Sequence, residues 1–258
     1  MAATMHVRAL VVQEYLLGEQ DKRLTLIGVD HGRFSAIAKG AKKQGARLAA
    51  AAQLFTYADF VMDQSRGSWI LREATPIEQF YAIRQDPEAL AWASWMVETA
   101  RDLAVEGEAC NDMLRILLRG LQLITEPSLS AQMTATAFVL RSLAMVGLRP
   151  QTERCLSCGA VPGEGAALSV QAGGVLCADC ARRHGDAMSV GPAVLYTLRH
   201  VLEADEAKLY KFTVEPGTRE ALFLFASRFL MQYLQREPES LRFLREWREL
   251  ASLLDPAN

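Results

Sequence analysis

Four of the five cysteines fall into two CxxC pairs, Cys155 with Cys158 and Cys177 with Cys180, and 18 residues separate the pairs. A CxxC turn brings two sulfurs to one side of the chain and lets backbone N–H groups point at them. Two such turns complete a tetrahedron around one Zn²⁺. Four thiolates leave no open coordination position, so the predicted zinc is structural rather than catalytic. Gly159 follows the first pair, where such a turn often needs a positive φ. A redox CxxC normally opens a helix in a βαβ setting, and none is visible. Two disulfides would need an oxidising compartment. The stretch Met1–Leu17 is broken by Gln13 and Glu14 and lacks the apolar core of a signal peptide. The expected location is therefore cytoplasmic. Cys110 is unpaired and reads as a small residue at a helix start.

A second group of residues could bind phosphate. Lys22, Arg23, Arg33, Lys39, Lys42, Lys43 and Arg47 lie in a window of 26 residues that holds one acid, Asp30, so the window carries a charge of +6 in a chain whose formal net charge is −2. The global charge announces no nucleic-acid partner; a local patch does. Gly40 and Gly45 would let the stretch 38–47 follow a phosphate backbone closely. The plainer reading of such a run is a solvated loop.

Enzymatic chemistry finds no support. The sequence has no Gly-Lys pair and hence no GxxxxGK[ST] loop, and no GxGxxG, HExxH or GxSxG. The histidines (His6, His31, His184, His200) show no metal-ligand spacing, and no carboxylate cluster suggests a nuclease. No run reaches the roughly 18 apolar residues of a membrane helix. Neither a catalytic group, a small-molecule substrate nor a membrane is expected.

The elements that must position these groups are legible in outline. With half its residues hydrophobic and 22% charged, the chain is globular. Residues 5–76 read as five short strands, with Val7, Ala9 and Val11 alternating against His6, Arg8 and Leu10. A turn falls at Asp30–Arg33 and a hairpin at Arg66–Ser68. Five strands in so short a span predict a small closed barrel. Phe34, Phe55, Tyr57 and Trp69 are candidate stacking aromatics or, more simply, barrel core. Beyond Pro76 the pattern turns helical, with one stripe through Leu90, Ala93, Met96, Val97, Ala100 and Leu103 and further helices up to Leu253. The expected class is α+β: a five-stranded barrel domain over 1–78 and an α-helical domain over 79–258, with the zinc segment inserted at 150–190.

In this order the motifs resemble the RecO family of bacterial DNA repair proteins. Ala9-Leu-Val-Val-Gln-Glu-Tyr15, Asp21-Lys-Arg-Leu-Thr-Leu26 and His31-Gly-Arg33 look like its first strands and turn. Ala38-Lys-Gly-Ala41 with Arg47-Leu48 looks like its basic loop, and Gln53-Leu-Phe55 like the next strand's opening. Phe138-Val-Leu-Arg-Ser-Leu143 with Val146-Gly-Leu148 looks like the helix leading into its CxxC. The resemblance implies an OB-fold barrel, an α-helical domain and an embedded zinc finger, together with binding of single- and double-stranded DNA and annealing of complementary strands. It also implies help in loading RecA on SSB-coated DNA together with RecR. The acidic, apolar-ended C-terminal tail of SSB would suit a groove of the helical domain edged by Arg141. The alternative function is a zinc-containing interaction scaffold whose DNA contact is incidental.

Overall fold

The computed structural model describes residues 3–43 and 47–254, with side chains as far as Glu249. Five strands form the N-terminal barrel: β1 (Thr4–Leu17), β2 (Asp21–Gly28), β3 (Gly32–Ala38), β4 (Tyr57–Ser65) and β5 (Ser68–Glu78). Their order is β1-β2-β3-β5-β4, and β1 returns to pair with β4, which is the expected OB arrangement. The pairings are antiparallel except β3 with β5, where Ala36 faces Trp69 and Ile37 faces Ile70.

Alternation fills the barrel. Val7, Ala9, Val11, Leu24, Leu26, Phe34, Ala36, Ala58, Phe60, Met62 and Leu71 form its packed interior. Leu10 and Ile27 face each other on the opposite side of β1 and β2 and are also buried, because a helix packs on that outer surface. Leu10 thus lies on the face opposite Val7, Ala9 and Val11, as the alternation predicts. The ladder between β1 and β2 has one irregularity: Val11 pairs with Leu26 but Gln13 with Thr25, so Val12 is a bulge.

The chain turns from strand to helix with α1 (Tyr81–Gln85), α2 (Pro87–Leu103) and α3 (Asn111–Leu123). Asp86 caps α2, accepting from the N–H groups of Glu88 and Ala89, with Pro87 in its first turn. Rather than one buried stripe, α2 buries Ala91, Trp92, Ala93, Trp95, Met96, Val97 and Ala100 around most of its circumference. A helix that is apolar on most sides is an internal element. Compactness groups these three helices with the barrel: the units divide between Gln122 and Leu123.

The second unit holds α4 (Ala131–Met145), a small sheet of β6 (Ala167–Ser169), β7 (Gly174–Leu176) and β8 (Met188–Ser189), and the one-turn α5 (Ala178–Ala181). Three long helices follow: α6 (Pro192–Glu203), α7 (Pro216–Leu234) and α8 (Glu239–Leu254). Helices α4, α6 and α7 pack on one another. Gly147, at φ +88°, follows the C-cap of α4 and ends it. No helix among the described residues is long and apolar enough to cross a membrane.

The β2–β3 turn tests this packing. At Gly32 φ is +60°, and a Cβ would stand 1.9 Å from the Glu108 carbonyl oxygen. Gly32→Ala should cost roughly 2 kcal/mol or more and lower the melting temperature by several degrees. Gly18→Ala, at φ +65° with open space around it, should cost about half as much.

Candidate nucleic-acid interface and metal centre

Strand parity sorts the seven basic residues. Lys22 has the parity of Leu24 and faces Ala38 of β3, so it points to the inner end of the barrel. Its ammonium is 2.6 Å from Glu14 Oε2 and donates to the Ala52 carbonyl at 2.9 Å. Arg33 faces Ile27 across the ladder, on the outer side, and its Nη1 donates to the Arg101 carbonyl at 3.1 Å near the C-terminus of α2. Helix-end carbonyls lack intrahelical partners, and a cation there is favourable. Lys22 and Arg33 are thus tied to the barrel's own structure.

The others face solvent. Arg47 meets Glu73 at 3.0 Å in an exposed, salt-screened pair. Arg23, Lys39, Lys42 and Lys43 are exposed and make no ion pair with any described residue. The loop that carries the three lysines is anchored on the β1–β2 turn. Gly40 N–H donates to Asp21 Oδ1 at 2.7 Å, and Lys42 N–H to the Gln20 carbonyl at 3.0 Å. Gly40 has φ +65°, the freedom expected of it. Gly45 lies outside the described residues. Of the candidate aromatics, Phe34 and Phe55 are core, and Tyr57 and Trp69 are half-buried, Trp69 against the barrel interior.

The four cysteines of the CxxC pairs converge: their sulfurs all lie within 4.8 Å of one another. Cys177 sits just before α5 and Cys180 within it. Cys155 heads a tight turn in which Gly159 N–H donates to the Cys155 carbonyl and Cys155 N–H to the Ala160 carbonyl, both at 2.8 Å, with Gly159 at φ +76°. Cys155 and Cys180 are buried, Cys177 is half-buried and Cys158 is exposed. None is in a disulfide; Cys158 and Cys177 stand 3.7 Å apart, beyond bonding distance.

The surroundings favour the thiolate at Cys155 and at Cys180. Burial works to raise Cys155, but backbone N–H groups of Cys177, Cys158 and Ser157 outweigh it and bring the thiol down to about 6. The Ser157 hydroxyl lowers Cys180 despite burial, helped by Arg183, whose Nη2 donates to the sulfur at 3.2 Å. Cys158 goes up to about 12: the Ala160 N–H pulls it down, and the Cys155, Cys177 and Cys180 thiols together push it up. Four sulfurs so close cannot all ionise without a cation among them. A divalent ion bound by four thiolates supplies that charge. The residues fit a metal ion.

Two residues that CxxC spacing does not announce brace this segment. The Asp186 carboxylate accepts from Ser169 Oγ at 2.8 Å and from Gln171 N–H at 2.9 Å. Burial raises its pKa, and these hydrogen bonds overcome that and hold it below the usual carboxylate range. Gly174, at φ +156°, leaves the space in which Gln151 pairs with it, for a Cβ would stand 2.2 Å from the Gln151 carbonyl oxygen.

Arg141 lies on α4, half-buried, and its Nη2 donates to the Ala204 carbonyl just past α6. Arg149 joins it there, bonding the Leu202 carbonyl and the Glu203 carboxylate, each at 3.0 Å. Burial lowers the Arg141 pKa, and Arg149 adds to that. Two guanidiniums thus serve the C-terminal carbonyls of one helix.

With this barrel, these helices and the four-thiol centre described, the comparisons with known proteins agree on one family. The Recombination protein O N terminal family model matches residues 1–80, and the Recombination protein O C terminal model matches residues 84–242. The chain is 33% identical over 240 residues to the DNA repair protein RecO of Desulforudis audaxviator, covering 92% of this chain and 95% of that one. It is 30% identical over 251 residues to that of a Roseiflexus species (97% and 88%), and 25% over 236 to that of Acetivibrio thermocellus (92% and 94%). The chain belongs to the RecO family. Its role is accordingly in DNA repair and recombination, and the family works without catalysis.

Two outcomes follow for the metal centre. Cys177→Ser should abolish stoichiometric metal, read by elemental analysis, and destabilise residues 150–190 to hydrogen exchange, while barrel amides keep their protection. The low Asp186 pKa contributes stability that is full above about pH 4 and is lost as pH falls through its lower folded value. Wild type should therefore lose stability faster than Asp186→Asn in an acid titration below about pH 4, and parallel curves would contradict the assignment.

Proposed function

We propose that the barrel binds single- and double-stranded DNA through the exposed cations at its β1–β2 end, and that the protein anneals complementary strands and assists RecA loading on SSB-coated DNA with RecR. The observation that carries this reading is the set Arg23, Lys39, Lys42 and Lys43, four cations without an ion-pair partner among the described residues, in a chain of the RecO family. Phosphate neutralisation releases condensed counterions and is indifferent to sequence. Two strands held on one positive surface meet at a high effective concentration, which favours annealing. Arg47 would join by exchanging Glu73 for a phosphate. Lys22 and Arg33 keep the barrel in shape and contribute field more than contact.

The metal is zinc, matched to four thiolates, and its role is structural. It holds the residue 150–190 segment in one conformation. The acidic tail of SSB is assigned to the helical unit, at a groove edged by Arg141, which is half-buried on α4. The protein is expected in the cytoplasm.

The test compares salt dependence. Wild type should lose single-strand affinity with a slope near −3 in log K against log[salt] if about four phosphates are contacted. The triple variant Lys39→Ala, Lys42→Ala, Lys43→Ala should flatten that slope by about 2. Unchanged affinity and slope in a folded triple variant would remove the loop from the DNA site.

A further inference from the structure

The outer surface of β1, β2 and β3 is covered at one end and open at the other. Leu10 and Ile27 are buried on that surface, where α2 packs on β1 and β2, and Arg33 reaches the Arg101 carbonyl beside them. The next row across the strands is Gln13, Thr25 and Ser35, and the row after it is Tyr15, Arg23 and Ile37. Tyr15 is 54% exposed, Arg23 and Ser35 are exposed, and Thr25 and Ile37 are half-buried. The lysine loop, anchored on Gln20 and Asp21, borders this open end.

Tyr15 should not be there by alternation alone. Val7, Ala9 and Val11 point into the barrel, and strict period 2 would send residues 13 and 15 inward with them. The bulge at Val12 inserts one residue and reverses the sense. Glu14 then shares Leu24's inward side and pairs with Lys22, while Gln13 and Tyr15 turn outward. Bulges are used in this way to re-aim a side chain at a barrel rim. Gln13 Nε2 donates to the Tyr15 hydroxyl, which ties the ring to its own strand.

We propose that Tyr15 is a base-stacking platform for single-stranded DNA, with Arg23 and the Lys39, Lys42 and Lys43 loop holding the flanking phosphates. The inference rests on the reading that the barrel binds DNA and adds which form of DNA this surface selects. A single strand is the occupant because it alone offers both partners at once: unstacked base faces for an aromatic ring and phosphates for the cations around it. A duplex keeps its bases stacked inside and offers such a surface phosphates but no open base face. The acids nearby do not cancel the charge: Asp21 accepts the Gly40 N–H, Glu14, though exposed, is neutralised by its pair with Lys22, and Glu19 stands exposed in the β1–β2 turn.

The experiment measures binding of a labelled oligo-dT and of a labelled blunt duplex, each over a salt series, by fluorescence anisotropy. Tyr15→Ala is expected to weaken oligo-dT binding roughly 5- to 100-fold, the range for one lost aromatic–base stack. Its salt slope should equal wild type, because stacking releases no counterions, and its duplex affinity should stay within about twofold. Tyr15→Phe, which keeps the ring, should keep most of the oligo-dT affinity. Wild-type oligo-dT binding by Tyr15→Ala overturns the proposal, and so does an equal loss on duplex. The lysine-loop variant separates the two ideas. If it binds both DNAs like wild type while Tyr15→Ala loses oligo-dT alone, the cation reading fails and the stacking platform stands. If it loses both DNAs and Tyr15→Ala loses neither, the platform fails and the cation reading stands. Tyr15 is exposed, so a folded Ala variant is expected, and its melting temperature checks this.

Discussion

Closing a five-stranded sheet on itself forces every strand residue to choose between a crowded interior and the outside, and the N-terminal unit is organised by that choice. The interior has room only for the apolar set from Val7 to Leu71, so cations on the inner parity must find partners at the barrel's end. Lys22 does, on Glu14 and the Ala52 carbonyl, and is only 16% exposed as a result. Its sequence neighbour Arg23 takes the outer parity and stays in solvent. Two adjacent cations of like chemistry thus acquire different jobs from one step along a strand.

The second unit is governed by a different constraint, the need to fix a loop-rich segment between α4 and α6. Its strands are two or three residues long, too short to hold themselves together. The four-thiol cluster, with Leu176 buried beside Cys155 and Cys180, supplies a local core that so few residues could not otherwise build. Arg199 extends from α6 to Glu153 at 3.2 Å, and Gln232 from α7 to the Val170 carbonyl at 3.3 Å. These ties run between the segment and its own unit, which fits a bracing metal better than one that meets a substrate.

What could be read from sequence divides by range. The cysteine cluster was legible because ligand spacing is a local property: two CxxC turns carry their geometry wherever they are placed. The barrel was legible because five alternating runs in a short span have few ways to close. Parity across strands was not legible, since it depends on register, and one bulge at Val12 inverts it for everything downstream in β1. For that reason Tyr15 drew no notice as a stacking residue, while Phe34 and Phe55, equally aromatic, proved to be core. The single stripe read on α2 missed Trp92 and Trp95 for a related reason: a helix surrounded by its neighbours has no polar side for periodicity to detect. Nor does anything in its own helix reveal that Arg141 serves the Ala204 carbonyl, 63 residues away.

Phosphate contact and base contact respond to different conditions, and a surface that offers both can handle the two forms of DNA unequally. Counterion release weakens every phosphate contact as salt rises, on either form, whereas stacking on an aromatic ring is nearly indifferent to salt. On the proposed reading, raising salt would therefore erode duplex binding first and leave single strands favoured. An annealing protein gains from that ordering. It must hold unpaired strands and let go of the product, and the product is the form in which the bases have withdrawn from Tyr15 into the helix. The lysine loop alone could gather strands but gives no reason to release them once paired. An aromatic face on the same surface does, because pairing itself removes the contact.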